Sequence, residues 1–262
     1  MERLMQAIEL KDIIFSYGKE LVLDKLCASF YKGEMGVVLG RNGSGKSTLF
    51  HILTGIQRDY GGTLRVNGHD RRRIQKGSKD SLRIGFMNQF HQTTFPFSVF
   101  DVVLTGRASF SRFGPSKADR DQVRAVLESF GLLPYKDKPY TELSGGERQL
   151  VLLCRVLVQD PDIILLDEPT NHLDLHYQIA VLDNLKKLVD NGKTVICIMH
   201  DPNLAFQYGD RFFVMGDGKL RSLDSTTNDH KREVLEQAYQ VDLQSVVVQD
   251  KLVLIPKSKL SM

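Results

Sequence analysis

Apolar positions change period along this chain, and the changes divide it into segments. From Ala7 to Phe15 and from Leu21 to Phe30, alternation mixes with short apolar runs and breaks at Tyr17-Gly18-Lys19, which predicts antiparallel strands. Thr63-Leu64-Arg65-Val66 followed by Asn67-Gly68 predicts a further hairpin, because Asn-Gly suits a type I′ turn. Met35-Gly36-Val37-Val38-Leu39, Ile163-Ile164-Leu165-Leu166 and Val195-Ile196-Cys197-Ile198-Met199 are continuous apolar runs that lead toward helical patterns. They read as buried parallel strands of an α/β core. Between about Thr94 and Asp160 the period turns helical. Ser98 with Asp101, and Ser116 with Asp119, have capping-box spacing, and the second pair opens a segment with Val123, Val126, Leu127 and Phe130 on one face. The expected organisation is one domain over residues 1–262: a core with an antiparallel β-region (1–93 and 161–262) and an all-helical insert (94–160). Beyond about Leu220 the pattern predicts a helix carrying Val234, Leu235 and Ala238, then a strand from Val246 to Ile255.

Composition narrows the function classes. The 262 residues hold 35 basic and 32 acidic side chains, a net charge of +3, with 26% charged and 42% hydrophobic residues. Those are the proportions of an ordinary globular domain, and they exclude a disordered chain or a strongly basic nucleic-acid binder. The apolar runs Leu150–Cys154 and Val195–Met199 extend five residues, against the roughly 20 that a bilayer-spanning helix needs. Charges interrupt Met1-Glu2-Arg3-Leu4-Met5-Gln6 too early for a signal peptide, so a cytoplasmic location is expected. Cys27, Cys154 and Cys197 lie far apart among apolar neighbours and read as small core residues rather than a disulfide or zinc framework. Arg71-Arg72-Arg73-Ile74-Gln75-Lys76 is a charge run that reads as a solvated loop.

Two motifs carry chemistry. Gly40-Arg41-Asn42-Gly43-Ser44-Gly45-Lys46-Ser47-Thr48 matches G-x-x-x-x-G-K-[ST] and stands between an apolar strand and a helix with Leu49, Ile52 and Leu53 on one face. Its glycines let backbone N–H groups converge on phosphates, Lys46 brings a point charge to the β and γ oxygens, and Ser47 can hold Mg²⁺. Ile163-Ile164-Leu165-Leu166-Asp167-Glu168-Pro169 is a strand ending in two acids. Asp167 would bind Mg²⁺ through water, and Glu168 would polarise the water that attacks the γ-phosphate. The opposing reading makes the two acids the cap of the following helix.

At Leu143-Ser144-Gly145-Gly146-Glu147-Arg148-Gln149 the sequence resembles the nucleotide-binding subunits of ABC transporters. Ser144 and Glu147 have capping-box spacing, and the following helix carries Leu150, Leu153, Cys154 and Leu157 on one face. The two glycines leave its N-terminus bare toward an anion. The resemblance covers nearly the whole chain. It implies that Tyr17 stacks on adenine, that Gln89 senses the γ-phosphate and Mg²⁺, that Asn171-His172-Leu173-Asp174 crosses a dimer interface, and that His200 is the switch histidine. Cys154-Arg155-Val156 departs from the smaller residues usual there. Phe97-Ser98-Val99-Phe100-Asp101-Val102-Val103-Leu104-Thr105-Gly106-Arg107 is similar to the corresponding stretch in metal-chelate importers of siderophores, haem, cobalamin or molybdate. The proline common after that Gly-Arg in the siderophore branch is replaced by Ala108-Ser109-Phe110.

The resemblance therefore implies an α/β P-loop NTPase (RecA-like) core and Mg²⁺-dependent ATP hydrolysis. Lys46 and Glu168 of one protomer would be completed by Ser144, Gly145 and Gly146 of another, giving an ATP-bound head-to-tail homodimer. It further implies separate transmembrane permease subunits, a periplasmic or surface solute-binding protein as indirect partner, no nucleic acid, and a peripheral place on the cytoplasmic face of the membrane. A soluble ABC ATPase acting on ribosomes or DNA shares these motifs, Asn171-His172-Leu173-Asp174 included. Such proteins usually carry two cassettes or a coiled-coil insertion, which this sequence lacks. A non-hydrolysing binding module is opposed by the presence of Glu168 and His200.

Overall fold

A computed structural model describes residues 5–74, 84–88, 96–108, 114–224 and 226–257. The chain forms two compact units, residues 1–73 with 194–262, and residues 74–193.

In the first unit, β1 (Gln6–Tyr17) and β2 (Glu20–Tyr31) pair antiparallel, with Ile8 opposite Phe30, Leu10 opposite Ala28 and Phe15 opposite Leu23. Ile8, Leu10, Ile13, Phe15, Leu23, Leu26 and Phe30 are buried, so the alternation seen in the sequence is the inward face of this hairpin. The register slips between Leu10 and Ile13, where Asp12 adopts a φ of 52°. β4 (Gly61–Val66) lies along the other edge of β1 and turns into the short β5 (His69–Asp70) through Asn67 and Gly68, both at positive φ, as the expected hairpin requires.

The same unit holds β3 (Met35–Leu39), buried at every residue and parallel to both β8 (Thr194–Ile198) and β9 (Arg211–Gly216). A strand with neighbours on both edges and cover on both faces has no polar face, which is why these runs are continuous rather than alternating. β10 (Lys219–Ser222) closes the edge antiparallel to β9. The helices here are α1 (Lys46–Thr54), α6 (Pro202–Tyr208) and α7 (Asn228–Tyr239).

The second unit contains the parallel pair β6 (Ile84–Met87) and β7 (Ile163–Asp167), with α2 (Val99–Leu104), α3 (Lys117–Ser129), α4 (Gly145–Leu157) and α5 (Leu175–Asp190). Helices occupy the stretch between β6 and β7, as the change of period predicts. Ser116 and Asp119 form a complete capping box, and Ser98 accepts a hydrogen bond from the Asp101 N–H. α4 anchors the group. It buries Leu150, Val151, Leu152, Leu153, Cys154 and Val156, whereas α3 buries only Val123 and Leu127 among its apolar residues.

Three expectations need correction. The C-terminal strand is a hairpin, β11 (Leu243–Val248) and β12 (Lys251–Pro256), joined at Gln249 and Asp250 with φ of 50° and 61°. No glycine marks that turn in the sequence, so two strands read as one. Cys27 is exposed on β2, where its thiol donates to Asp12 at 3.6 Å, while Cys154 and Cys197 are core residues whose thiol pKa values burial pushes up. The basic run is not wholly a solvated loop. Arg71 is buried and donates to the carbonyl oxygens of Leu53 and Thr54, filling the open C-terminal end of α1, and Arg72 lies over the Tyr60 ring.

Candidate active site

Local conformation makes the loop between β3 and α1 an anion cradle. Gly45, at φ 102°, is the N-cap of α1, and no side chain caps the first N–H groups of the helix by a hydrogen bond among the described residues, which leaves them available to an anion. Lys46 is buried and folds back over the loop, its ammonium donating to the carbonyl oxygens of Gly40 at 2.7 Å and Arg41 at 2.8 Å. Ser44 Oγ is buried and has no hydrogen-bond partner among the described residues. A buried hydroxyl without a partner costs roughly 1–3 kcal/mol, and a phosphate oxygen in the loop would supply one. Ser47 and Asn42 are exposed and Thr48 is buried. The residues present therefore fit a nucleotide phosphate chain. Tyr17, at the end of β1, is 54% exposed, with its ring edge-on to Phe15 at 4.8 Å between centroids. Phe15 steadies the ring and leaves surface for a base to stack on. His200 follows β8.

In the second unit, Asp167 ends β7 and is buried, and Glu168 turns out of the strand at φ 55°. The reading of these acids as a helix cap does not hold. α5 is capped by Asp174, whose carboxylate accepts from the Tyr177 N–H at 3.0 Å. Glu168 is instead held by Asn171, whose Nδ2 donates to Oε2 at 2.7 Å. Its non-glycine left-handed backbone is an unfavourable conformation of the kind that clusters at functional sites.

Ser144 caps α4 in a closed box. Its Oγ accepts from the Glu147 N–H at 3.3 Å, and its N–H donates to Glu147 Oε2 at 2.7 Å, a bond that holds the Glu147 pKa below the ordinary range. The two glycines that follow differ. Gly145 is exposed and a side chain there would meet nothing, whereas Gly146 is buried and a Cβ would lie 2.2 Å from the Tyr177 ring. The first keeps the helix terminus bare; the second lets α4 approach α5.

Gln89 lies outside the described residues. A cavity of about 330 Å³ is lined by Met87, Asn88, Thr105, Gly106, Arg155 and Gln159 among others. Arg107 donates to the Asp119 carboxylate at 2.7 Å and to the Val158 carbonyl at 3.1 Å, so the Gly-Arg pair of the metal-chelate-like stretch ties α2, α3 and α4 together. Sequence reasoning did not find the roles of Asn171, Tyr177 or Arg107. Only Asn171 carried a readable signal, standing three residues after an acid in a turn.

Residues 23–171 match the family model described as ABC transporter. The chain is 33% identical to the hemin import ATP-binding protein HmuV of Bradyrhizobium diazoefficiens over 245 residues, 90% of this chain and 89% of that one. It is 35% identical to a probable iron chelatin transport ATP-binding protein of Helicobacter pylori, over 94% of this chain and 98% of the relative. Among solved structures, a chain of an ABC transporter described as metal-chelate type, in an inward-facing conformation, superposes with a TM-score of 0.83 at 30% identity, covering 97% of this chain and 98% of that one.

Proposed function

The chain belongs to the ABC transporter family, its fold is that of an ABC ATPase cassette that hydrolyses ATP, and from this premise we propose that it powers an importer of metal chelates such as haem or an iron siderophore. The observation that carries the ATPase part of this reading is the loop from Gly40 to Thr48, whose helix terminus has no side-chain cap and whose Ser44 hydroxyl has no partner among the described residues. Tyr17 stacks on adenine. Lys46 and the loop N–H groups take the phosphates. The residues that would hold Mg²⁺ are Ser47, Asp167 and Gln89, and the ion would neutralise charge on the phosphates, as it usually does with one or two protein oxygens. Glu168 takes the proton of the attacking water, and His200 completes the γ-phosphate environment.

Two protomers act together, Ser144, Gly145 and Gly146 of one meeting the nucleotide of the other, with Asp174 at their interface. Among the described residues no helix is long and apolar enough to cross a membrane. In this reading transport work passes to separate permease subunits at the cytoplasmic face. The cavity beside Asn88, next to the helical segment 94–160, offers a place for them to dock. A solute-binding protein delivers the chelate to the permease. The similarity to hemin and iron chelatin transport proteins favours an iron chelate as solute.

The test is reconstitution in vesicles with permease subunits of a metal-chelate importer. ATP-dependent accumulation of haem or a ferric siderophore, lost with Lys46→Ala, is the expected result. ATP hydrolysis without uptake of any metal chelate would overturn the importer assignment and leave the ATPase standing.

A further inference from the structure

α7 ends at Tyr239, and the tyrosine hydroxyl stands between two main-chain groups that are far apart in sequence. It accepts from the Gly40 N–H at 3.3 Å and donates to the His200 carbonyl at 3.2 Å. Gly40 opens the phosphate loop, and His200 leads from β8 into α6. The same C-terminal segment grips the chain beyond His200. Asn203 exchanges two hydrogen bonds with Leu254 of β12: its Nδ2 donates to the Leu254 carbonyl at 3.1 Å, and its Oδ1 accepts the Leu254 N–H at 2.8 Å. Lys251 donates to the Gln207 carbonyl at 2.8 Å. The stretch from His200 through α6 is thus held at three points by residues 239–254, and the first point is shared with the phosphate loop.

We propose that Tyr239 is a positioning residue for ATP hydrolysis, fixing the main chain of Gly40 and of His200 together, so that the C-terminal segment sets where the histidine stands against the phosphate loop. The inference rests on the ATPase reading of the site. Both of its anchors are backbone groups, so the hydroxyl acts on the main chain of the loop and of His200 rather than on their side chains. Burial pushes the Tyr239 pKa up to about 12, so the hydroxyl stays protonated across the neutral range and keeps one donor and one acceptor role. A tyrosine that merely filled space beneath α7 would need its ring and not its hydroxyl.

The experiment is Tyr239→Phe in the full chain, which keeps the ring and removes both bonds. We expect kcat for ATP hydrolysis to fall roughly tenfold, as for loss of a well-placed hydrogen bond, with KM for ATP changed less than kcat. In a His200→Ala background, which retains the carbonyl, the same substitution should cost nothing further, because the side chain that it positions is gone. Asn203→Ala, which cuts the Leu254 attachment without touching the loop, provides an independent reading should Tyr239→Phe fail to fold, and its loss of kcat should likewise vanish in the His200→Ala background. Normal kcat in Tyr239→Phe, a change in KM alone, or an equal loss with and without His200 would overturn the proposal while wild-type ATPase activity stands. Absence of wild-type activity would overturn the site reading itself.

Discussion

Asn171 holds Glu168 by two bonds: its Nδ2 donates to Glu168 Oε2 at 2.7 Å, and its backbone N–H donates to the Glu168 carbonyl at 3.2 Å. The amide orientation is fixed from the other side, since Asn171 Oδ1 accepts from the His172 N–H at 3.0 Å. Asn171→Ala should therefore remove this hold on the carboxylate and lower kcat about tenfold, the loss of a hydrogen bond to a charged group, with ATP affinity unchanged in a nucleotide titration. Asn171→Asp should be worse. The substitution replaces the amide donor with a second carboxylate facing Glu168, so the contact turns from attraction to repulsion. Wild-type kcat in Asn171→Asp would remove this contact from the catalytic step.

The contact between Gly146 and Tyr177 separates two glycines that look alike in sequence. Gly146→Ala drives a methyl into the Tyr177 ring and should destabilise the protein by about 1–3 kcal/mol, as overpacking does. Gly145→Ala meets nothing and should leave the urea midpoint nearly unchanged. If both variants melt alike, α4 and α5 do not pack as described.

Much of this was legible because it is local. The continuous runs at Met35, Ile163 and Val195 became fully buried strands, and Asn67-Gly68 became the turn, since those signals depend on neighbours in sequence. The Gln249-Asp250 turn was missed because it reaches the same positive φ values without glycine. Arg71 was misread for a different reason. A charge run predicts solvation, but the open carbonyl groups ending α1 outweigh it, and only the fold brings those 18 residues back. The chemical motifs point to Lys46, Asp167 and Glu168 directly. Asn171 and Tyr239 make their bonds to Glu168, Gly40 and His200 through contacts that no spacing rule records.

A pH dependence follows from Asp119. The Ser116 hydroxyl and N–H, and then Arg107, hold its carboxylate at about 2, below the ordinary 3.8. A carboxylate whose folded pKa is depressed adds stability that is fully present above its unfolded value and is lost as pH falls toward the folded one. The helical segment should therefore weaken between about pH 4 and pH 2. Asp119→Asn should flatten that part of the curve of urea midpoint against pH, and an unchanged slope would remove Asp119 as its source.

The sharpest test of the composite site joins Glu168 to the second protomer. Glu168→Gln keeps the shape of the side chain and leaves Lys46, Ser47 and Asp167 to hold Mg²⁺-ATP, so binding should persist while turnover falls by about 10²–10⁴, the usual worth of a general base. If ATP then stays in place long enough to meet Ser144 and Gly145 of a partner, the contacts that form only in the dimer should shift the equilibrium toward it. The variant should elute as a dimer with Mg²⁺-ATP and as a monomer without it, at several protein concentrations. Adding Ser144→Arg, which places bulk at an exposed helix terminus, should restore the monomer without lowering the unfolding free energy by more than loss of the cap explains, about 1 kcal/mol. A Glu168→Gln protein that binds ATP and stays monomeric at every concentration would separate the nucleotide site from dimerisation. Full turnover in it would take Glu168 out of the mechanism.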